Sequence, residues 1–275
     1  MRDILVAHSP DPDDAFMFWA MIHGLVDTRG YNFIQVYHDI ETLNQMCLRS
    51  EPDLSAASLA AFPYISKNYA LLKAGSSTGL GYGPVIVAKD PIRPGELRGK
   101  TVAVPGLRTT AFLTARLAIR EFQERVVSFD RIPEAVLSGQ VEAGVLIHEA
   151  QLTYEEQGLT KVLDLGQWWQ EKTGLPLVLG VNVIKRSLGN EVIRDVASVL
   201  EDSIRYGLEH RKEALEYAAG FGRGIPQKTL DSFVGMYVNK WTVAFDQQAL
   251  EGARTLLKQA HQAKLIPETD LEPVG

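Results

Sequence analysis

The chain reads as an α/β fold that ends in a block of helices. Three observations predict this. Short apolar stretches rich in branched residues alternate with amphipathic stretches from residue 4 to residue 185, the pattern of a parallel or mixed sheet. After Gly189 only helical periodicity remains. The 275 residues are 45% hydrophobic and 23% charged, enough apolar material for one large domain or two lobes.

The elements follow in order. Ile4 to His8 predicts a short strand. Ser9-Pro10-Asp11-Pro12-Asp13-Asp14 predicts a turn, with Asp13 or Asp14 capping a helix over Ala15 to His23. Three close aspartates also resemble a divalent-cation site, but two prolines followed by a helix fit capping better. Asn32 to Tyr37 alternates apolar and polar residues as a half-buried strand does, and a helix follows over Glu41 to Leu48. Cys47, the single cysteine, shares the apolar face of that helix with Leu43 and Met46 and reads as a buried structural thiol. One cysteine excludes an intrachain disulfide and a cysteine metal cluster. Leu54 to Leu59 predicts a strand running into small residues. There Ala56, Ala57 and Ser58 either admit a ligand to the backbone or pack closely against a helix.

Tyr69 to Ala74 predicts another strand. The glycine-rich stretch Gly75 to Pro84 spaces its glycines G-x-G-x-G and leads into the strand Val85 to Ala88, which excludes a dinucleotide-binding fingerprint and suggests a flexible loop at a lobe boundary. Thr101 to Val104 predicts a strand, followed by a glycine turn and a helix over Ala111 to Phe122. Thr109 and Thr110 stand at that helix start, where free N–H groups suit a carboxylate or phosphate. Either threonine also serves as the N-cap, and the two roles are compatible. Strands over Arg125 to Val127 and Ala143 to Ile147 flank a helix over Ile132 to Leu137. His148 falls where the second of these stops. Such strand ends face the ligand crevice of α/β sheets, so His148 either moves a proton near neutral pH or caps the next helical turn. Lys161 to Leu165 and Val178 to Lys185 predict strands. Between them Trp168 and Trp169 either cover a flat aromatic ligand or fill core, and core is the simpler reading. Helices are expected over Val192 to Leu208, Lys212 to Ala219, Pro226 to Tyr237 and Gln247 to Ala263.

The net charge is −6 and no basic run occurs, which argues against nucleic acid and anionic membranes as partners. The N-terminus lacks a signal-peptide pattern and no apolar run reaches membrane-spanning length, so a cytoplasmic protein is expected.

Longer motifs carry a family resemblance. Ser9-Pro10-x-Pro12-x-Asp14-x-Phe16-x-Phe18 is similar to the S-P-C-P-N-D-T-F-x-F signature of 1,4-dihydroxy-6-naphthoate synthases, enzymes of the futalosine route to menaquinone. Further matches are Asp39 to Asn44, Gly83-Pro84, Pro105-Gly106 with Thr109-Thr110, Ile147-His148-Glu149, Asp164 to Trp169, Thr173 to Pro176 and Tyr237-Val238-Asn239. The chain departs where the signature has cysteine, asparagine and threonine: here these are Asp11, Asp13 and Ala15.

The resemblance implies a two-lobed fold like the type II periplasmic binding proteins, with residues 1–90 and 177–275 as lobe one, 91–176 as lobe two, and the cleft between them. It implies a carbon–carbon lyase that cleaves cyclic dehypoxanthinylfutalosine to 1,4-dihydroxy-6-naphthoate and dihydroxyacetone. The family's general base matches His148. Its substrate contacts match Ala56, Ala57, Ser58, Thr109 and Thr110, with Ala56 replacing a longer side chain and so making contact through its backbone. The substrate is a small carboxylate, which the Thr109-Thr110 helix start suits. The redox-neutral cleavage calls for no metal and no organic cofactor, and no oligomeric state is implied. Two competing readings are a small-anion-binding protein on the same fold, normally exported, and the chorismate dehydratase of the same pathway.

Overall fold

The computed structural model describes residues 2–275. In chain order its strands are β1 (Arg2–His8), β2 (Tyr31–Tyr37), β3 (Leu54–Ser58), β4 (Tyr69–Leu71), β5 (Ser77–Gly79), β6 (Val85–Ala88), β7 (Thr101–Val104), β8 (Gln123–Val126), β9 (Ala143–Leu146), β10 (Thr160–Asp164) and β11 (Leu177–Lys185). They form two sheets. The first has the order β2-β1-β3-β11-β4, with β5 also pairing β11. The second has the order β10-β6-β9-β7-β8. In the first, β2 and β3 run parallel to β1, in the register Ile4 to Phe33 and Val6 to Leu54, and β11 returns antiparallel to β3 with Asn182 opposite Ala56.

The central strands of each sheet are buried, as their near-continuous apolar runs require, whereas the edge strands β2 and β8 stay largely exposed. Helix Asn190–Glu209 places Val192, Ile193, Val196, Ala197, Leu200 and Ile204 on one side at three- and four-residue spacing. That stripe packs with Phe16 and Phe18 of helix Pro12–Ile22 over Ile4 and Val6 of β1. The opposite face is covered by Ala253, Leu256 and Leu257 of helix Gln247–Gln262 and by Trp169. In the second sheet, helix Thr110–Ala118 covers Val102 and Val104, and helix Ile132–Leu137 covers Ala103 and Val85. The latter helix lies so close to β9 that a Cβ at Gly144 would strike Ile132.

The chain crosses between the sheets twice, after β5 and before β11. Val85–Ala88 precedes the expected boundary at residue 90 but pairs within the second sheet, so the first crossing falls at residues 80–84. At this crossing a Cβ on Gly166 would collide with the Tyr82 backbone, so the helix Leu165–Thr173 is seated directly on the connection.

Several expected elements differ. The glycine-rich stretch is not all loop: Ser77–Gly79 pairs with β11, a three-residue strand too short for periodicity to reveal. The helix expected over Ala111 to Phe122 stops at Ala118, where Ile119 turns extended and the Arg116 guanidinium donates to the Phe122 carbonyl at 2.6 Å. Helix Pro12–Ile22 begins three residues early, because proline at its first position is already set for helical φ. Neither Asp13 nor Asp14 caps it. Both lie in the first turn and are buried. Cys47 is 1% exposed, and burial pushes its thiol up to about 11. Trp169 is fully buried and donates its indole N–H to the Pro176 carbonyl at 3.1 Å, so it fills core.

Candidate active site

The carboxyl ends of β1, β3, β7 and β9 converge on one cleft. Ser9, Asp11, Asp13 and Asp14 enter from the segment after β1. Ala56, Ala57 and Ser58 belong to β3, Thr109 and Thr110 follow β7, and His148 follows β9; all of them line the same cleft.

His148 adopts a left-handed backbone, φ +61°, directly beyond β9. Its Nδ1 lies 3.0 Å from Asp11 Oδ2, although Asp11 follows a strand of the other sheet. Phe129 packs against the imidazole edge-on, 4.4 Å between ring centres. The Nε2 atom is buried and has no partner in the protein. Burial disfavours charge on both groups, but their attraction wins. The Asp11 carboxyl is held well below the usual carboxylate range by His148 and Arg223, and the His148 imidazole is raised above its ordinary value by Asp11. An ionised Asp11 therefore accepts from Nδ1–H. In the neutral ring this leaves the Nε2 lone pair free.

A second histidine near the cleft cannot serve this way. His8 is stacked on Phe18, its Nδ1 faces the Ser9 carbonyl at 2.8 Å and its Nε2 faces Gln35 at 3.1 Å. Burial lowers it to about 4.

Thr109 caps helix Thr110–Ala118 by accepting from the Phe112 N–H, and it donates to the Gly106 carbonyl at 2.8 Å. The Thr110 hydroxyl accepts from the Ala60 N–H and donates to the Leu179 carbonyl, at 3.1 and 2.7 Å. Both hydroxyls thus hold backbone in place. What this end of the cleft offers an anion is the N–H groups of the first helical turn and their dipole. Ser58 is held by Asn44, which bonds both its N–H and its hydroxyl. Ala56 and Ala57 present only small side chains.

The acidic end is different. Asp14 accepts from the Ser9 N–H and hydroxyl, both at 2.8 Å, and Asp13 accepts from Ser77 Oγ at 3.3 Å. Burial, and then repulsion from neighbouring carboxylates, raises both above the usual range. Tyr237 donates to Gln151 at 2.8 Å on the adjoining wall. Arg223, from between two helices of the C-terminal block, pairs with Asp11 and with Glu149, each at 2.8 Å. Nothing near Arg223 in the sequence marks it. Asp11 and Asp13 were legible as part of an acidic turn, with Asp13 as a capping candidate, and as departures from the signature, and Tyr237 as part of a matched motif. Among the described residues no group of three or more His, Cys, Asp or Glu side chains is arranged to hold a metal ion.

Two sheets, two crossings and a cleft at the strand ends define a periplasmic-binding-protein-like fold. The alkanesulfonate-binding protein of Xanthomonas axonopodis bound to MOPS superposes with TM-score 0.70 at 14% identity, over 98% of this chain and 95% of that one, which is a likeness of fold alone. A crystal structure of a protein from Archaeoglobus fulgidus is nearer: TM-score 0.92, 44% identity, over 96% and 98% of the two chains. The family model described as menaquinone biosynthesis matches residues 4–262. The 1,4-dihydroxy-6-naphthoate synthase of Thermus thermophilus is 36% identical over 260 residues, 94% of each chain. That of Streptomyces coelicolor is 34% identical over 269 residues, 95% of this chain and 94% of its own. The chain belongs to the menaquinone biosynthesis family.

Proposed function

We propose that this chain is a carbon–carbon lyase that cleaves cyclic dehypoxanthinylfutalosine to 1,4-dihydroxy-6-naphthoate and dihydroxyacetone, with His148 as general base. The observation that carries the reading is the His148 imidazole: Nδ1 engaged by Asp11, Nε2 buried and unpartnered on the cleft wall. A polar atom withdrawn from water without a partner is costly, and the substrate proton supplies that partner. The relatives named as 1,4-dihydroxy-6-naphthoate synthases support the reaction class over a pure binding protein and over chorismate dehydration.

The substrate carboxylate lies at the start of helix Thr110–Ala118, against its first N–H groups, with Ser58 and the backbone of Ala56 and Ala57 along the side. Its hydroxyl-bearing end then faces His148, Asp13 and Gln151. The neutral ring takes a proton at Nε2 and the Asp11 carboxylate stabilises the imidazolium that forms. The electrons released from the O–H bond form a carbonyl as the carbon–carbon bond breaks, and the proton held at Nε2 returns to the fragment that receives the electron pair, which restores the neutral base. The two products together account for the substrate, so the cleavage is redox-neutral and the reading includes no cofactor. The segments on either side of the two crossings act as two lobes, residues up to the crossing at 80–84 together with 177–275 forming one and the inserted segment from β6 to residue 176 forming the other; a cytoplasmic location belongs to the same reading.

The test is turnover of cyclic dehypoxanthinylfutalosine by the wild type and by His148→Ala, following naphthoate release. The wild type is expected to be active and the variant reduced roughly a hundredfold or more, with substrate still bound. Wild-type protein that binds without turnover is a binding protein. Equal turnover in both moves the base elsewhere.

A further inference from the structure

Five non-glycine residues among those described have left-handed backbone: Arg29, Ser50, His148, Arg223 and Lys264. The conformation costs an L-residue about 1–2 kcal/mol and persists where the surroundings over-determine it. Two of the five, His148 and Arg223, converge on Asp11 from distant parts of the chain. Arg223, φ +49°, sits between helices Arg211–Ala219 and Gln227–Tyr237. Its Nη2 donates to Asp11 Oδ1 at 2.8 Å and to the Pro10 carbonyl at 3.3 Å, and its Nη1 donates to Glu149 Oε1 at 2.8 Å. The guanidinium lies 4.8 Å from the centre of the Phe129 ring, the same ring that packs on His148.

We propose that Arg223 is a positioning residue whose guanidinium ties Asp11, beyond β1 of the first sheet, to Glu149, beyond β9 of the second, and so sets His148 for proton transfer. This rests on His148 being the base.

Two features of the geometry support it. First, one planar cation makes a separate charge-assisted bond to a carboxylate of each sheet, and a lysine ammonium cannot reproduce that fork. Second, Arg223 balances the charge around the ring. Asp11 and Glu149 both favour charge on His148, and Arg223 is the cation that opposes its protonation. Without Arg223 the pull of the two carboxylates towards the charged ring would go unopposed by that cation, and a charged ring takes no proton. Arg223 thus orients Asp11 while keeping the base available.

The experiment measures kcat, KM and the pH profile of wild type, Arg223→Ala and Arg223→Lys with cyclic dehypoxanthinylfutalosine. Alongside, the His148 ring is titrated by NMR on histidine-labelled protein, its signal identified by loss in His148→Ala. Arg223→Ala is expected to lose kcat on the order of ten- to hundredfold, with the acid limb and the ring titration both displaced to higher pH. Arg223→Lys keeps the charge without the fork: kcat falls and both pH readouts stay near wild type. A merely structural role lowers activity without that split, and an unmoved ring titration in Arg223→Ala, or unchanged kcat in both variants, overturns the proposal. The two readings fail separately. Wild type that binds without turnover sinks the base, whereas active wild type with unaffected Arg223 variants sinks only the clamp.

Discussion

Replacing Asp11 with asparagine removes one charge from the cleft and little volume. The structure bounds the effect. Asp11 is 3% exposed in its side chain and lies 3.0 Å from His148 Nδ1. At an effective dielectric of about 20, a full charge pair at that distance is worth about 5 kcal/mol. This is the ceiling, because the transition state carries only part of the imidazolium charge. The floor is the loss of one charge-assisted hydrogen bond, about 2 kcal/mol. At about 1.4 kcal/mol per decade, kcat is expected to fall between roughly thirtyfold and several thousandfold. The sign in pH follows from the same contact. Asp11 raises the His148 imidazole above its ordinary value, so wild-type activity is lost as pH falls through that raised value, and Asp11→Asn moves the acid limb to lower pH. Steady-state kinetics from pH 5 to 9 read both quantities. A variant with kcat within threefold of wild type, or an acid limb displaced upward, would refute Asp11 as the group that holds the base. The displacement is opposite to that expected of Arg223→Ala, so the two variants check each other.

Asp13→Asn tests the acidic end of the cleft. The Asp13 carboxyl is raised by burial, so its ionisation opposes folding, and the penalty grows as pH rises through the raised value. The variant is expected to melt higher than wild type at pH 8 and by less at pH 5, and an equal difference at both would remove the carboxylate penalty as the cause. Trp169→Phe keeps an aromatic ring in the core but leaves the Pro176 carbonyl without its indole N–H. A loss of about 1–3 kcal/mol is expected from urea unfolding, while Trp168→Phe, at a partly exposed position, stays within about 0.5 kcal/mol; equal losses would refute the buried hydrogen bond as the source.

Much of the frame was legible because it is local. The helix over Ile132 to Leu137 and the strand Thr101 to Val104 stand where periodicity sets them. The positions Ala56, Ala57, Ser58, Thr109, Thr110 and His148 share one cleft because strands of an α/β sheet deliver their carboxyl ends to one side. What stayed hidden is tertiary. The choice of Asp11 as partner for His148 depends on bringing two sheets together, and no pattern near either residue encodes it. Arg223 reads as an ordinary charge in a helical tail. Capping by Thr109 was legible at the helix start, but that the Thr110 hydroxyl bridges the Ala60 N–H and the Leu179 carbonyl was not. Asp13 and Asp14 looked like surface caps because the helix was expected to begin at Ala15; starting it at Pro12 turns both carboxylates inward.

The place of β11 has a consequence for the order in which the molecule assembles. It lies between β3 and β4, and β4 and β5 have β11 as their sheet partner. During synthesis the first sheet therefore remains incomplete until residue 185 has left the ribosome, whereas every strand of the second sheet has emerged by residue 164. Loop closure over so long an interval is slow, and domains tend to fold as their sequence becomes available. The inserted sheet is expected to form first and to act as a preformed stopper in the interval between β5 and β11. The exposed edges of β3 and β4 wait for their shared partner, and nascent chains arrested before residue 177 would carry that open seam as their point of vulnerability to aggregation.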